Sequence, residues 1–370
     1  MAEILSWRTA PDLHDVVSRG VAALAAGECL IFPTDTGYAV GVAAKNPQAF
    51  ERLRDWRSDL SAPTLSVREA SEAVDWMPSL GACSQRLARR CWPGPLELVW
   101  DISADAEPFR SLPEPVREHL CQEQKVKFGC PSHEAIFHCL QRYGEPILYT
   151  DLEHNGEGIF DSEKLRELVG EREAVVIEDG VSRFKQMATV VAVRGEQWRI
   201  VREGIIPHDM LEKLAACLIL FVCTGNTCRS PLAAALFRKL LCERLHCRAE
   251  ELLTKGYWVE SAGLAAVNGA RATAEAQTVA RELGTDLERH ASQPISTDLV
   301  FYADYLIGMT NSHVQLMKEL FPDAYAKPRL LAADQSDLPD PIGGDVEVYR
   351  ECGRQILKHL QALISEVCPT

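Results

Sequence analysis

Basic residues are scarce in this sequence. The chain has 39 Lys and Arg against 53 Asp and Glu, which gives a formal net charge of −14, and no segment is rich in Lys and Arg. Because a negatively charged protein repels polyanions, this balance excludes broad binding to nucleic acid or to anionic membranes, unless a local basic patch runs against the trend.

Long hydrophobic runs are also absent. The longest apolar stretch, residues 214–223, is about half of the roughly 20 residues that a membrane span needs. The sequence starts with an early Glu3 and shows no apolar core of signal-peptide length. It contains no internal repeat and no low-complexity tract. We therefore expect a cytoplasmic protein.

Cysteine, in contrast, is plentiful. The 13 cysteines are scattered through the chain without an export signal, so we expect free thiols rather than a disulfide framework. One grouping has the residue types of a metal site: Cys130, His133, His138 and Cys139. It lacks the paired spacing of zinc ribbons and zinc fingers, so we expect no metal there.

The length of 370 residues suggests two domains, since a domain usually takes roughly 100–200 residues. Around residues 202–216 the sequence passes from a Gly/Pro turn into a short polar segment with helical spacing. The apolar run Leu218–Val222 follows it and is typical of a buried parallel strand. We place the domains at residues 1–212 and 217–370.

Strand and helix signals alternate in the second domain. After the first strand, further strands are predicted at Tyr257–Ser261 and Asp304–Met309, and helices at Pro231–Leu245, Ala272–Leu283, Asn311–Phe321 and Asp345–Val367. The alternation predicts an α/β domain of three layers, a parallel sheet covered by helices. Ligands in such domains bind at the carboxyl edge of the strands.

A loop with the composition of a phosphate site directly follows the first of these strands. Residues 223–231 read Cys-Thr-Gly-Asn-Thr-Cys-Arg-Ser-Pro. Gly225 and Asn226 tolerate the backbone angles of a tight loop, and Ser230 followed by Pro231 is typical of a helix N-cap and first turn. This order predicts backbone N–H groups that converge on a phosphate, with Arg229 holding two of its oxygens.

Two other cysteines have an arginine six positions later, Cys83 with Arg89 and Cys242 with Arg248. Neither segment contains a glycine, and both have helical periodicity, which would place the two side chains on different turns of a helix. We interpret both as chance matches.

The loop also predicts nucleophilic chemistry. It favours the thiolate of Cys223, the form in which cysteine attacks phosphorus, and Ser230 is placed to hydrogen-bond the sulfur. A route through phosphocysteine needs an acid that protonates the leaving group and a base that later activates water. Asp340 is the candidate, since the following proline stiffens the backbone and two glycines let the loop fold over the pocket. Asp334 and Asp337 compete with it on sequence alone.

Residues 218–366 resemble the low-molecular-weight protein tyrosine phosphatase family. The resemblance rests on four segments in order: Cys223–Pro231, Glu260–Gly263, Met309–His313 and Asp340-Pro341. It implies that Cys223 is the nucleophile, Arg229 binds phosphate and Asp340 is the general acid, without metal or cofactor. The other loop residues expected to bind phosphate or support the thiolate are Thr224, Gly225, Asn226, Thr227, Cys228 and Ser230.

Two positions depart from the tyrosine-specific pattern of that family. Its members usually have a bulky aliphatic residue at the position of Thr227 and aromatics directly after the Asp-Pro pair, where this chain has Ile342-Gly343. Both features resemble the bacterial protein arginine phosphatase branch, in which the loop threonine is associated with selectivity for phosphoarginine. A hydroxyl there is able to orient water or a guanidinium. Cys228 is either a redox partner of the nucleophile or a buried structural thiol.

The N-terminal half has a different resemblance. Ile31–Tyr38 resembles the motif that opens the substrate pocket in YrdC-like threonylcarbamoyl-adenylate synthases, and Trp92–Pro95, Ala188–Val190 and Ile200–Gly204 continue it in order. The resemblance implies an α/β domain built on a twisted sheet with a concave face. It also implies a pocket for nucleotide and threonine that includes Thr34, Thr36, Tyr38, Arg57 and Arg202.

The chemistry of those synthases is matched less well. They bind ATP, threonine and bicarbonate, and they hold phosphates with a Lys and an Arg two positions apart, where this chain has Asp55 and Arg57. Their Ser-Ala-Asn motif corresponds to about Asp151–Glu153. Because a carboxylate at these places repels ATP phosphates, a retained fold with altered or lost activity is favoured over the full reaction.

We therefore predict a cysteine-dependent phosphatase that acts on phosphorylated proteins, with phosphoarginine preferred. Three alternatives stay open. The first is a protein tyrosine phosphatase, and the second is a tRNA-modifying threonylcarbamoyl-adenylate synthase with an appended phosphatase. The third makes the N-terminal domain a binding module for nucleotide, double-stranded RNA or a partner protein. ATP is expected only if the N-terminal domain is active.

Overall fold

The structure, a computed structural model, describes residues 2–56, 63–77, 80–102, 107–121 and 124–369. It divides into two compact units, residues 1–211 and 212–370. None of the described helices has the length and the apolar character needed to cross a membrane. All 13 cysteines are free thiols.

The first unit contains twelve strands within the described residues. They are β1 Glu3–Ser6, β2 Leu30–Pro33, β3 Tyr38–Ala43, β4 Thr64–Ser66, β5 Gly94–Asp101, β6 Lys125–Cys130, β7 Ile147–Asp151, β8 Glu153–His154, β9 Glu157–Gly158, β10 Val175–Glu178, β11 Thr189–Arg194 and β12 Gln197–Arg202. Its helices are α1 Leu13–Ala25, α2 Pro47–Arg54, α3 Glu72–Trp76, α4 Ala82–Cys91, α5 Glu114–Leu120, α6 Glu134–Tyr143 and α7 Ser162–Val169, with a 3₁₀ turn at Glu107–Ser111. The helix α8, His208–Ala215, carries the division between the units.

Ten of these strands form one mixed sheet, in the order β1-β10-β2-β3-β7-β4-β6-β5-β11-β12. Every residue of β3 is buried, since β3 lies between β2 and β7 inside the sheet and apolar side chains pack over it. The chain reverses between β2 and β3 in a tight turn, in which the Thr34 hydroxyl accepts the Gly37 N–H at 3.0 Å. The twisted α/β sheet expected for this half is thus confirmed.

The second unit is built on four parallel strands among the described residues: β13 Cys217–Cys223, β14 Tyr257–Gly263, β15 Tyr305–Gly308 and β16 Arg329–Leu330, in the order β14-β13-β15-β16. Its helices are α9 Arg229–Leu245, α10 Ala274–Glu282, α11 Thr297–Tyr302, α12 Asn311–Leu320 and α13 Val346–Val367, with a 3₁₀ turn at Ala249–Glu251. The predicted strands and helices are confirmed, while α11 and β16 were not predicted.

The strand β13 divides the core of this unit into two layers. Its residues alternate between the faces of the sheet, as in any strand. Ile219 and Phe221 pack with buried residues of α9, α10 and α13, whereas Leu218, Leu220 and Val222 pack with α11 and α12. All seven residues of β13 are buried, so its carboxyl end, Cys223, is held rigidly at the edge where the loop begins.

Candidate active site

The loop between β13 and α9 turns at Asn226. This residue has a φ of +54°, in the left-handed region, and its side chain is fully buried. Gly225 does not lie in that region, and a Cβ built on it would meet only the Thr227 hydroxyl, at 3.6 Å. The expectation that Gly225 supplies a special backbone angle is therefore wrong, and Asn226 alone makes the turn.

The sulfur of Cys223 lies among hydrogen-bond donors. The Asn226 N–H points to the Sγ atom at 3.3 Å, and the Ser230 hydroxyl lies 3.0 Å from it. The Ser230 oxygen accepts a hydrogen bond from the Asn226 side-chain amide at 2.9 Å and also lies 3.2 Å from the Ala262 carbonyl. Since the hydroxyl has a single proton, it can be directed to the sulfur when the sulfur is negatively charged.

Ser230 is not the helix N-cap that the sequence suggested. The helix α9 begins at Arg229, the N-cap position belongs to Cys228, and no side chain caps it. Ser230 is the second residue of the helix and is fully buried, with its hydroxyl turned towards Cys223. The free N–H groups of the first turn therefore remain available for an anion.

Asn226 is fixed by partners from distant segments. Its amide donates its two hydrogens to the hydroxyls of Ser230 and Ser261, each at 2.9 Å, and its side-chain oxygen accepts the Gln293 N–H at 2.9 Å. The ring of His290 lies 2.7 Å from the Asn226 carbonyl. The sequence gave no role to Gln293 or His290, because nothing in their local pattern indicates this contact.

Arg229 reaches the loop that carries the candidate acid. It donates to the Leu338 carbonyl at 3.1 Å and forms an ion pair with Asp340. The Arg229 side chain is only 5% exposed, whereas the Asp340 side chain is 42% exposed. Leu338 in turn donates its N–H to the Met309 carbonyl at 3.0 Å, which ties the loop to the end of β15.

The two competing aspartates are engaged elsewhere. Asp334 accepts hydrogen bonds from the backbone and the hydroxyl of Ser336. Asp337 accepts from the backbone and the side chain of Asn311, at 2.6 and 2.9 Å. Of the three aspartates, the structure brings only Asp340 into contact with Arg229.

A histidine lies on the other side of the loop. The ring of His313 is 2.9 Å from the hydroxyl of Thr224 through Nε2 and 2.9 Å from the hydroxyl of Thr310 through Nδ1. Burial, and after it the charge of Arg229, lowers the pKa of His313 to about 4. The ring is therefore neutral at pH 7.

Cys228 is buried under the loop. Its sulfur lies 3.3 Å from the Tyr349 hydroxyl, 3.6 Å from the Thr227 hydroxyl and 3.7 Å from the Thr273 hydroxyl. Burial raises the pKa of Tyr349 to about 12, so Tyr349 stays protonated and is able to donate to the sulfur. These contacts fit a packed thiol.

The first unit contains a separate cavity. It is lined by Thr34, Asp35, Thr36, Gly94, Pro95, Leu96, Glu97, Pro131, Tyr149, Asp151 and Ala188. Of the residues predicted for a nucleotide and threonine pocket, Thr34 and Thr36 line this cavity. Tyr38 does not line the cavity: its hydroxyl donates to the Gly180 carbonyl at 2.8 Å and accepts the Asp179 N–H at 2.9 Å. Arg57 lies outside the described residues.

Carboxylates dominate the charge of this cavity. Arg202 lies 3.0 Å from Asp151 and 3.5 Å from Glu97, and Lys127 lies 3.3 Å from Glu97. Burial raises the pKa of Glu97, but Lys127 and Arg202 outweigh burial and hold it below its ordinary value. Burial and the Glu97 charge raise the pKa of Asp151.

This donor set does not fit ATP. The described lining residues include three carboxylates and no cation, and the two nearby cations are held by those carboxylates. A triphosphate would have to displace these ion pairs and face the carboxylates. The sequence pattern did not lead us to Glu97 or Lys127, although each is a charged residue within a largely apolar strand, β5 or β6.

Two residues of the grouping considered as a metal site contact other groups. His133 lies 3.1 Å from Asp179, and the Cys139 thiol lies near the Val17 carbonyl. Within the part of the chain that the structure describes, no three His, Cys, Asp or Glu side chains are arranged to hold a metal ion.

Comparisons with known proteins agree with the division into two units. Residues 218–369 match the family described as low molecular weight phosphotyrosine protein phosphatase, and residues 22–204 match the Sua5/YciO/YrdC family, described as telomere recombination. Similar proteins include the protein-arginine-phosphatase of Geobacillus stearothermophilus, 37% identical over 36% of this chain and 83% of the relative. That of Bacillus subtilis is 31% identical over 40% of this chain and 95% of the relative.

A solved structure shows the fold of the first unit. Sua5 of P. abyssi, in an H234A/Y235A variant, aligns with a TM-score of 0.51 at 16% identity, over 89% of this chain and 98% of that protein. At this identity the likeness concerns the fold alone.

The close approach of β14 to the loop generates a prediction. A Cβ built on Gly263 would lie 2.6 Å from the Thr224 carbonyl oxygen and 2.9 Å from the Asn226 nitrogen, both backbone atoms. Gly263→Ala should therefore push the loop out of place, lowering stability by roughly 1–3 kcal/mol and phosphatase activity at least tenfold. Thermal unfolding and steady-state kinetics measure the two effects. Gly225→Ala, in the same loop but with room for a Cβ, is the control and should perturb stability less.

Proposed function

The chain belongs through residues 218–369 to the low molecular weight phosphotyrosine protein phosphatase family, and we propose that it dephosphorylates protein side chains, with phosphoarginine preferred, through a phosphocysteine intermediate. The observation that carries the proposal is the contact of the Cys223 sulfur with the Asn226 N–H and the Ser230 hydroxyl, beside the Arg229–Asp340 pair. A cysteine sulfur, a loop with free backbone N–H groups and a partly exposed carboxylate lie in one site.

The first step transfers the phosphoryl group to the enzyme. The substrate's phosphoryl oxygens take the place of Asp340 at Arg229 and meet the N–H groups of the loop. The thiolate of Cys223 attacks phosphorus, so that an S–P bond forms while the bond to the leaving group breaks. Asp340 in its protonated form gives its proton to the leaving atom, a guanidinium nitrogen in phosphoarginine.

The second step releases phosphate. Asp340, now a carboxylate, takes a proton from a water molecule that attacks phosphorus, and the S–P bond breaks. Cys223 leaves as thiolate, and the Ser230 hydroxyl directs its proton to the sulfur in compensation. The exposure of Asp340 allows it to move between Arg229 and the reacting atoms.

The preference for phosphoarginine rests on two features of this chain. Thr227 is small, polar and half-buried in the loop, and Ile342-Gly343 offers no aromatic wall for a phenyl ring. The relatives named protein-arginine-phosphatase support the same substrate. The alternative, a protein tyrosine phosphatase, is the activity in the family's description.

For the N-terminal domain we propose a retained fold without the synthase reaction, because its buried ion pairs use the cations that a polyphosphate would need. A role in binding nucleotide, RNA or a partner protein is the alternative. Phosphorylated proteins are the proposed partners of the phosphatase. The domain limits 1–212 and 217–370 and the cytoplasmic location stay predictions.

The nucleophile is tested by removing the sulfur. Cys223→Ser should abolish turnover and still bind a phosphate analogue such as vanadate, because the loop and Arg229 remain. Cys83→Ser and Cys242→Ser should be nearly silent. Steady-state kinetics and calorimetric binding measure the effects, and turnover retained by Cys223→Ser would exclude the mechanism.

The general acid is tested by the choice of leaving group. Asp340→Ala should lower turnover by about 10²–10⁴-fold for leaving groups that need a proton, and less for a substrate whose leaving group needs none. The measurement is kcat across aryl phosphates of graded leaving-group acidity. Equal losses for all of them would point to misfolding or to another acid.

The N-terminal domain is tested by its product. Incubated with ATP, threonine and bicarbonate, it should make little or no threonylcarbamoyl-adenylate as measured by mass spectrometry, and ready detection of this product would refute the proposal. In the full chain, Glu97→Gln combined with Asp151→Asn should free Lys127 and Arg202 and increase pyrophosphate binding. Glu3→Gln, which removes an exposed carboxylate of the same unit, is the control.

Substrate preference is tested at Thr227. Replacement by Ile adds apolar bulk and removes the hydroxyl, so it should shift the preference from phosphoarginine towards phosphotyrosine. One good contact, about 1–3 kcal/mol, corresponds to roughly 10- to 200-fold in relative kcat/KM. Both peptide substrates are measured on wild type and Thr227→Ile. If wild type already prefers phosphotyrosine and the substitution leaves the ratio unchanged, the arginine assignment fails.

A further inference from the structure

The segment Met309–His313 has no role in the mechanism described so far, yet it contacts the loop. Its His313 ring joins two hydroxyls, Thr310 at Nδ1 and Thr224 at Nε2, each at 2.9 Å. Thr224 directly follows the nucleophile and is exposed, whereas His313 is only 5% exposed. A buried ring therefore contacts the hydroxyl of the residue that directly follows Cys223 in the sequence.

One consistent set of donors and acceptors satisfies the His313 ring and the hydroxyls of Thr310 and Thr224. A neutral imidazole has one donor and one acceptor nitrogen, and each hydroxyl has one proton. Thr310 caps α12, because its side-chain oxygen accepts the backbone N–H of His313 at 3.3 Å. The same oxygen lies 2.8 Å from the Ser312 hydroxyl. When the Thr310 hydroxyl donates a hydrogen bond to Ser312, the Thr310 oxygen accepts the Nδ1–H of the His313 ring. The Nε2 atom then carries no hydrogen and accepts a hydrogen bond from the Thr224 hydroxyl.

Burial, and after it the charge of Arg229, lowers the pKa of His313 and keeps the ring neutral at pH 7. Arg229 disfavours its protonation, and the charges of Asp340 and Asp337 act in the opposite sense but do not outweigh burial and Arg229. The Nε2 atom of the neutral ring accepts a hydrogen bond from the Thr224 hydroxyl, which keeps its proton. The lone pairs of the Thr224 oxygen are then free to face a ligand.

A guanidinium leaving group needs such an acceptor. It carries N–H donors and no acceptor, whereas a phenolic leaving group carries no N–H donor at all. We propose that Thr224, oriented by His313, is a second specificity residue whose hydroxyl oxygen accepts a hydrogen bond from the guanidinium of phosphoarginine. This inference rests on the proposed function, and within it His313 is a positioning residue that acts through Thr224.

The test compares two substrates on each variant. Thr224→Val keeps the shape of the side chain and removes the hydroxyl. It should lower kcat/KM for a phosphoarginine peptide about tenfold or more beyond any loss that it causes for a phosphotyrosine peptide, since only the first substrate loses a partner for a charged group. The ratio of the two rates, measured on one preparation, does not depend on the fraction of folded enzyme.

Variants of His313 separate positioning from packing. His313→Leu should shift the ratio of the two kcat/KM values as much as Thr224→Val does. His313→Gln offers a hydrogen-bond acceptor near the place of Nε2, so its ratio should lie closer to that of the wild type. Combining Thr224→Val with His313→Leu should give no further shift, because both remove the same contact. Thr278→Val, which removes a hydroxyl on α10 that donates to the Ala274 carbonyl, is the control and should leave the ratio unchanged.

The outcomes distinguish this inference from the proposed function. If wild type does not prefer phosphoarginine, the proposed substrate is wrong and the inference falls with it. If wild type prefers phosphoarginine but Thr224→Val lowers both rates equally, or His313→Leu leaves the ratio unchanged, only the inference is overturned.

Discussion

A single buried asparagine, Asn226, holds together the loop between β13 and α9. Asn226 is the residue whose positive φ turns the chain between β13 and α9, and its amide binds Ser230, Ser261 and the Gln293 backbone at once. Because all of its side-chain hydrogen-bonding groups are used, the turn has one arrangement. That arrangement directs the Asn226 N–H and the Ser230 hydroxyl to the Cys223 sulfur. The surroundings of the Cys223 sulfur, the proposed nucleophile, therefore depend on this network.

The sequence predicted the local parts of the site and missed the distant ones. The strand, the loop and the following helix are confirmed, since composition and periodicity act over a few residues. The partners of Asn226 and Arg229, such as Gln293 and Leu338, lie 67 and 109 residues away along the chain, and no local pattern reports such pairs. Ser230 was misassigned as an N-cap because its local pattern is that of a cap, whereas a tertiary contact with Cys223 decides where its hydroxyl points.

In the N-terminal half, the sequence identified the fold and one of the two carboxylates, Glu97 and Asp151, that pair with cations beside the cavity. Asp151 stood out because it replaces a serine of the resembling family. Glu97 was missed, because its importance comes from pairing across strands with Lys127 and with Arg202. A buried charge requires a partner of opposite charge. The carboxylates of Glu97 and Asp151 therefore pair with the cations beside the cavity, Lys127 and Arg202. The proposal for this domain therefore depends on the ion pairs of Glu97 and Asp151 rather than on the fold.

The central claim is that phosphate passes through the Cys223 sulfur, and trapping the intermediate tests it most directly. Full-length protein mixed with a phosphoarginine peptide, quenched within milliseconds and digested, is analysed by mass spectrometry for a phosphoryl group on the peptide that contains residues 223–229. The account predicts phosphate on Cys223, appearing before free phosphate and decaying as turnover ends. Turnover with no phosphorylated cysteine, or with phosphate on another residue, would contradict it.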